Sequence, residues 1–434
     1  MKFSRYNFYF PSKDRFVLYN CASDTILQVE SQLMNLYKQY SETPEKIENI
    51  APPFYQKLLD KGFVVNDNAD EPNMVIDKWA NEDESQDDYT IIINPTLNCN
   101  LKCWYCYEKH KEDSVMSHEI QESCVRFIRQ KAEKYENVHL SFFGGEPLLL
   151  FDDVVKPILE SLKIDSGHCK AKIFVHITTN ATLLNDEMVE YLKRWNSSFQ
   201  IAIDGNEDSH NKVKFFNVSP RATYSLILSN IKTLVENDIH VGLRCNYTIK
   251  TLPHFLDVLS DIKNWSQSSK KNLSVSFSRI WQDRQGNYEE LEKTLTEIEK
   301  EFVKYGFMVN GHLSQGIKRC YADKKNSIVI NYDGNVYKCT ARDFCSSNRE
   351  GVLNRNGIVD WNDNYQKRLV SRYQNTRCLE CNIFPICRGG CSQTKLENNN
   401  NFCIRGYSEN TKINFVQQRI LDVYRRLMFI KSNH

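Results

Sequence analysis

No stretch of this 434-residue chain approaches the roughly 20 consecutive apolar residues that a helical membrane span requires. The N-terminus, MKFSRYNFYFPSKDRF, alternates apolar and polar residues and lacks the unbroken apolar core of a secretory signal. Nor is there an excess of one charge: 56 Lys and Arg stand against 55 Asp and Glu. That balance removes the electrostatic case for nucleic acid or an anionic membrane as partner. A cytoplasmic protein that binds neither is expected. The rest of the composition, 41% hydrophobic and 26% charged, is that of a globular protein. The length exceeds one ordinary core, which predicts two or three domains.

Cysteine is what the chain has in plenty. Fifteen are present, clustered rather than dispersed. In a reducing compartment so many thiols point to metal binding, not to disulfides. Cys21, Cys124, Cys169 and Cys245 stand apart in apolar or helical surroundings and read as small buried hydrophobes.

The chain divides by pattern. Residues 1–65 hold three short β-rich runs, then two stretches of helical spacing and a short apolar strand, the order of a winged-helix-like module. Residues 66–88 are acidic and polar and read as a linker, with one apolar anchoring patch at Met74–Trp79. Over 89–310 short apolar strands alternate with helical stretches, which predicts a parallel sheet with crossover helices. In such folds ligands bind at the carboxyl ends of the strands. Residues 311–410 open with a hairpin around Asp333-Gly334 and are dense in cysteine, and 411–434 form an amphipathic closing helix.

The segment NPTLNCNLKCWYCYEKH places Cys99, Cys103 and Cys106 directly after the first predicted strand of the sheet. With His110 they would complete a tetrahedral zinc site. Alternatively three thiolates hold an iron–sulfur cubane and leave one iron open. The run Gly144-Gly145-Glu146-Pro147 ends the next strand. Its glycines permit close backbone approach, and Glu146 offers a carboxylate to a cationic group.

This pair of elements resembles the radical S-adenosylmethionine (SAM) enzymes, with aromatic Tyr105 just before the third cysteine. The resemblance implies a partial (β/α)6 barrel in an α/β fold, with Cys99, Cys103 and Cys106 holding a 4Fe-4S cluster. S-adenosylmethionine would chelate its open iron and be cleaved to a 5′-deoxyadenosyl radical. Gly144, Gly145 and Glu146 would hold the methionine amine, Asn180 the ribose and Arg244 the methionine carboxylate, with Asp204 at the end of the fourth strand. Two positions depart from many relatives: Ala181 stands where glycine is common, and Ala202 where serine is.

The tail of Cys320, Cys339, Cys378, Cys381, Cys387, Cys391 and Cys403 resembles the SPASM extension, which carries auxiliary clusters. By that resemblance Cys378, Cys381, Cys387 and Cys403 complete one auxiliary 4Fe-4S cluster, while Cys320, Cys339 and Cys391 hold a second. Its fourth position is closed by Cys345 or left to a substrate group.

Three functions follow. The first is a maturase that installs an oxidative crosslink (thioether, ether or carbon–carbon) in a ribosomally made precursor peptide. The second is an anaerobic sulfatase maturase that oxidises Cys or Ser to formylglycine. The third is a non-catalytic zinc or iron–sulfur protein. Sulfatase maturases usually place Asp after the cysteine corresponding to Cys339, where this chain has Thr340. Residues 1–65 resemble the RiPP recognition element, which captures a leader peptide by strand addition, and so favour the first reading. A flavodoxin or ferredoxin is the implied electron donor.

Overall fold

The computed structural model of the chain describes residues 1–163, 171–218, 221–283, 286, 288–310, 319–398 and 402–432. Cys169 lies outside them. Two compact units result: 1–85 with 313–325 and 366–434, and 86–312 with 326–365. Among the described residues no helix is long and apolar enough to cross a membrane.

In the first unit the strands Asn7–Ser12, Arg15–Asn20 and Thr25–Glu30 form an antiparallel sheet. Side chains of a strand alternate between faces. Leu18, Leu27 and Val29 accordingly pack against Met34, Phe54, Leu58 and Phe63 of the following helical region. On the opposite face Val17, Tyr19 and Cys21 meet Trp79, Phe384, Val416 and Ile420. The closing helix, Glu409–Ser432, supplies Val416 and Ile420 from one of its faces. Both faces of the small sheet are thus buried.

The acidic segment is not a linker throughout. Residues Glu71–Glu84 form a helix, started by Asp70, whose side chain accepts from the Asn73 N–H, with Pro72 in the first turn. Two of its acids, Glu71 and Asp83, are buried and partnered. Buried Glu71 accepts from the Ser4 hydroxyl and the Arg5 N–H. Asp83 pairs with Arg319. Trp79, in the expected apolar patch, is 2% exposed.

The second unit is built on six parallel strands: β1 (Asp88–Ile93), β2 (Asn137–Phe142), β3 (Lys172–Thr179), β4 (Asn196–Ile203), β5 (His240–Tyr247) and β6 (Leu273–Arg279). Neighbours in sequence are neighbours in the sheet, all in parallel register. Crossover helices such as His118–Lys134 and Tyr224–Glu236 bury Phe127, Ile128, Ile227 and Ile231 against the strands. β1 and β6 do not pair with each other. Ser327–Ile330 lies parallel beside β1 and Met308–Val309 beside β6, so the six-strand set stays open, as a partial barrel does. The cysteine-rich region 311–410 is shared between the units, because its hairpin extends the main sheet while 366–410 belongs with the first unit.

Candidate active site

The loop after β1 is pinned before it reaches the cysteines. Thr96 and Ser114 join their hydroxyls at 3.1 Å, and the Leu97 N–H donates to the Ser114 hydroxyl at 2.8 Å. The short strand Leu101–Cys103 then pairs antiparallel with Lys214–Phe216. This sets Cys99, Cys103 and Cys106 along one side of a cavity of about 390 Å³ at the carboxyl ends of the strands. Its size suits a small-molecule cofactor.

The glycines of the second motif are required by space. Gly144 has φ +83° and Gly145 φ +52°, and a Cβ on Gly145 would sit 2.1 Å from the Asn98 carbonyl oxygen. The strand end therefore lies directly on the cysteine loop. Glu146 is wholly buried and does not line the cavity. Its oxygens accept from the Thr179 hydroxyl and the Asn180 N–H, both at 2.7 Å, and from the Leu148 N–H at 3.0 Å. Glu146 thus ties the end of β2 to the end of β3 and orients Asn180, whose side chain donates to Asn100 at 2.9 Å and reaches the Cys99 sulfur at 3.8 Å. Ala181 takes φ +62°, the left-handed conformation that glycine adopts freely.

Asp204 likewise stands behind the cavity wall, 2% exposed. It accepts from the Tyr105 hydroxyl at 2.5 Å and pairs with Lys214 at 3.1 Å. Asn246 donates to the Tyr105 hydroxyl at 3.0 Å and accepts from Arg244 Nε at 3.0 Å. One polar chain therefore runs Arg244–Asn246–Tyr105–Asp204–Lys214. Of the residues singled out from the sequence, the three cysteines, Tyr105, Gly144, Gly145, Asn180 and Arg244 line the cavity. Glu146 and Asp204 hold those that do. Lys214, Asn246 and Glu108 were not foreseen. Glu108 is half-buried at the cavity, accepts from the Gly145 N–H at 2.9 Å, and has its carboxyl pushed up to about 7 by desolvation.

Burial raises the Cys99 thiol to about 12 and the Cys103 thiol to about 11; Glu146 adds to the first, whereas Lys214 pulls the second back. Thiols held this way ionise only against a strong positive charge such as iron. Zinc would draw its sulfurs to about 2.3 Å from one centre and so close to one another. Among the described residues the one ligand group within 4.8 Å is Cys106, Glu108 and His110; the three cysteines together form no such group. Their wider spacing suits a multi-iron cluster. In the first unit Cys378, Cys381, Cys387 and Cys403 share one cavity with Phe384, Tyr407 and Lys412, and Lys395 donates to the Cys378 sulfur at 3.5 Å. They too form no single-ion group. Cys320 and Cys391 belong to the first unit, Cys339 and Cys345 to the second.

Residues 93–262 match the model of the Radical SAM superfamily. The cysteine-type anaerobic sulfatase-maturating enzyme of Clostridium novyi is 24% identical over 350 residues, 71% of this chain and 89% of that protein. Among solved structures, anSMEcpe with bound AdoMet superposes with a TM-score of 0.59 at 20% identity, covering 80% of this chain and 99% of its own. Streptococcus suis SuiB bound to its precursor peptide SuiA gives a TM-score of 0.53 at 16% identity, covering 92% and 97%. Fold and cysteine loop agree with the family match, and residues 93–262 form a radical SAM domain, whose family binds a 4Fe-4S cluster and S-adenosylmethionine.

Proposed function

We propose that the chain is a peptide maturase that uses S-adenosylmethionine to install an oxidative crosslink in a ribosomally made precursor peptide. The observation that carries this reading is the convergence of Cys99, Cys103, Cys106, the Gly144–Gly145 turn, Asn180 and Arg244 on one cavity. Bound there, cluster and sulfonium supply an adenosyl radical able to abstract hydrogen. The chain's own part is to present Arg244 to the methionine carboxylate, to offer Asn180 to the ribose, and to shield the site from water.

The peptide reading draws on the first unit. Both faces of its three-stranded sheet are covered, so the outer edge of Asn7–Ser12 or Thr25–Glu30 is what a leader peptide can join as an added strand. SuiB, solved with a precursor peptide, is similar over 92% of the chain. The four-cysteine cavity holds one auxiliary cluster in this reading. A flavodoxin or ferredoxin supplies electrons.

The Clostridium novyi relative favours a second reading, sulfatase maturation. Against it, Thr340 follows Cys339, and the nearby Asp343 is engaged by Lys109 at 2.5 Å. Anaerobic incubation with a precursor peptide, S-adenosylmethionine and reductant, followed by mass spectrometry, separates the two. Crosslinking removes two hydrogen atoms and leaves no aldehyde. Hydrazide labelling of a Cys- or Ser-derived aldehyde in a sulfatase peptide, with the precursor peptide unchanged, would establish the second reading instead.

A further inference from the structure

We propose that Lys214 is a positioning residue that sets the reduction potential of the iron–sulfur centre held by Cys99, Cys103 and Cys106, with Asp204 as its counter-ion. The inference rests on the family reading of the cysteine loop and adds a charge that no part of that motif contains.

Lys214 comes to the site by strand pairing. In the antiparallel ribbon of Leu101–Cys103 and Lys214–Phe216 it is the direct partner of Cys103. Opposed residues in such a pair bring their side chains within about 5 Å at Cβ. Lys214 is 4% exposed and lines the same cavity as Cys99 and Cys103. Its ammonium donates to the Ala202 carbonyl at 2.8 Å and pairs with Asp204 at 3.1 Å, which fixes it in place. The buried Asp204 carboxylate beside it compensates its charge. His210, also beside Asp204, is driven down to about 3 by burial and by Lys214, and stays neutral. Lys214 is thus a buried cation beside Cys103.

Reduction adds one electron to the cluster. Cluster potentials follow local charge and solvent exposure, and a cation held out of water acts with little screening. The ammonium favours the reduced form, and the Asp204 carboxylate opposes it from further back. The two residues therefore have opposite signs of effect, which no packing role would produce.

Full-length holoenzyme is titrated potentiometrically under EPR, following the signal that changes when S-adenosylmethionine is added. Lys214→Met is expected to lower the reduced-to-oxidised ratio at fixed potential about tenfold, about 59 mV for one electron. Lys214→Arg should stay near the unsubstituted protein, and Asp204→Asn should move the potential upward. An unchanged potential in Lys214→Met, or a shift of both variants in one direction, overturns the proposal. Where Lys214→Met takes up no cluster, Lys214→Gln and the sign of the Asp204→Asn shift decide it. Absence of any responsive signal in the unsubstituted protein would instead refute the cluster reading itself.

Discussion

Asp83 holds Arg319 through both carboxylate oxygens, at 2.6 and 2.7 Å, with both side chains buried. The same carboxylate accepts from the Lys325 N–H, so the pair ties the helix Glu71–Glu84 to the segment entering the second half of the chain. A buried pair broken on one side leaves a charge without compensation. Asp83→Ala is therefore expected to destabilise the first unit by about 3–5 kcal/mol, read as a lowered denaturant midpoint. The double variant Asp83→Leu with Arg319→Met should recover much of that loss. A single variant as stable as the parent would contradict the pairing.

Gly145→Ala tests the contact between the two motifs. The added methyl would lie 2.1 Å from a backbone oxygen of the cysteine loop, at a φ of +52°. Neither atom is the end of a flexible side chain, so the loop must move. Iron bound by the three-cysteine site should fall, and S-adenosylmethionine cleavage should drop at least about a hundredfold, the equivalent of about 2.8 kcal/mol. Iron content and deoxyadenosine yield check this, while iron of the proposed four-cysteine cluster should be retained.

Iron removal should loosen the first unit beyond the cysteines themselves. Cys378, Ile383, Phe384 and Ile386 share one core with Tyr6, Val17, Tyr19 and Trp79. The auxiliary cluster proposed there would couple metal binding to folding of this core. Chelation, or Cys378→Ser with Cys381→Ser, is expected to speed amide exchange in Arg15–Asn20 and to shift Trp79 emission to the red. Exchange in β3 and β4 serves as the internal reference and should not change.

The two motifs were legible because each is local. Cysteine spacing and a glycine pair at a strand end need no tertiary context, and alternation of strands and helices placed Asn180 and Arg244 at the same end of the sheet. Lys214 carries no such signal: it reaches Cys103 through pairing between segments more than a hundred residues apart in sequence. Asn246 could have been found, since period two in β5 puts it on the face of Arg244. The helix Glu71–Glu84 was hidden by its acids. A run of Asp and Glu reads as solvated, and only the fold supplies Ser4 and Arg319 as partners for Glu71 and Asp83. Glu146 was expected to meet the amine, yet three local donors claim its oxygens. The motif's shape was readable, but not which of its atoms would face the cavity.

The polar chain through Tyr105 makes the last prediction. Its hydroxyl donates to Asp204 and accepts from Asn246, which in turn holds Arg244. Tyr105→Phe keeps the ring but leaves Asp204 without one donor and frees the Asn246 amide. A buried group left unsatisfied costs about 1–3 kcal/mol. Part of that will appear as freedom of Arg244, the residue assigned to the methionine carboxylate. The dissociation constant for S-adenosylmethionine should rise about tenfold, equivalent to about 1.4 kcal/mol, with little loss of bound iron. Asn246→Leu should do the same. Because both substitutions cut one chain, their combination should weaken binding hardly more than either alone, a coupling visible in a double-mutant cycle. Full additivity would mean that Arg244 is positioned independently of Tyr105.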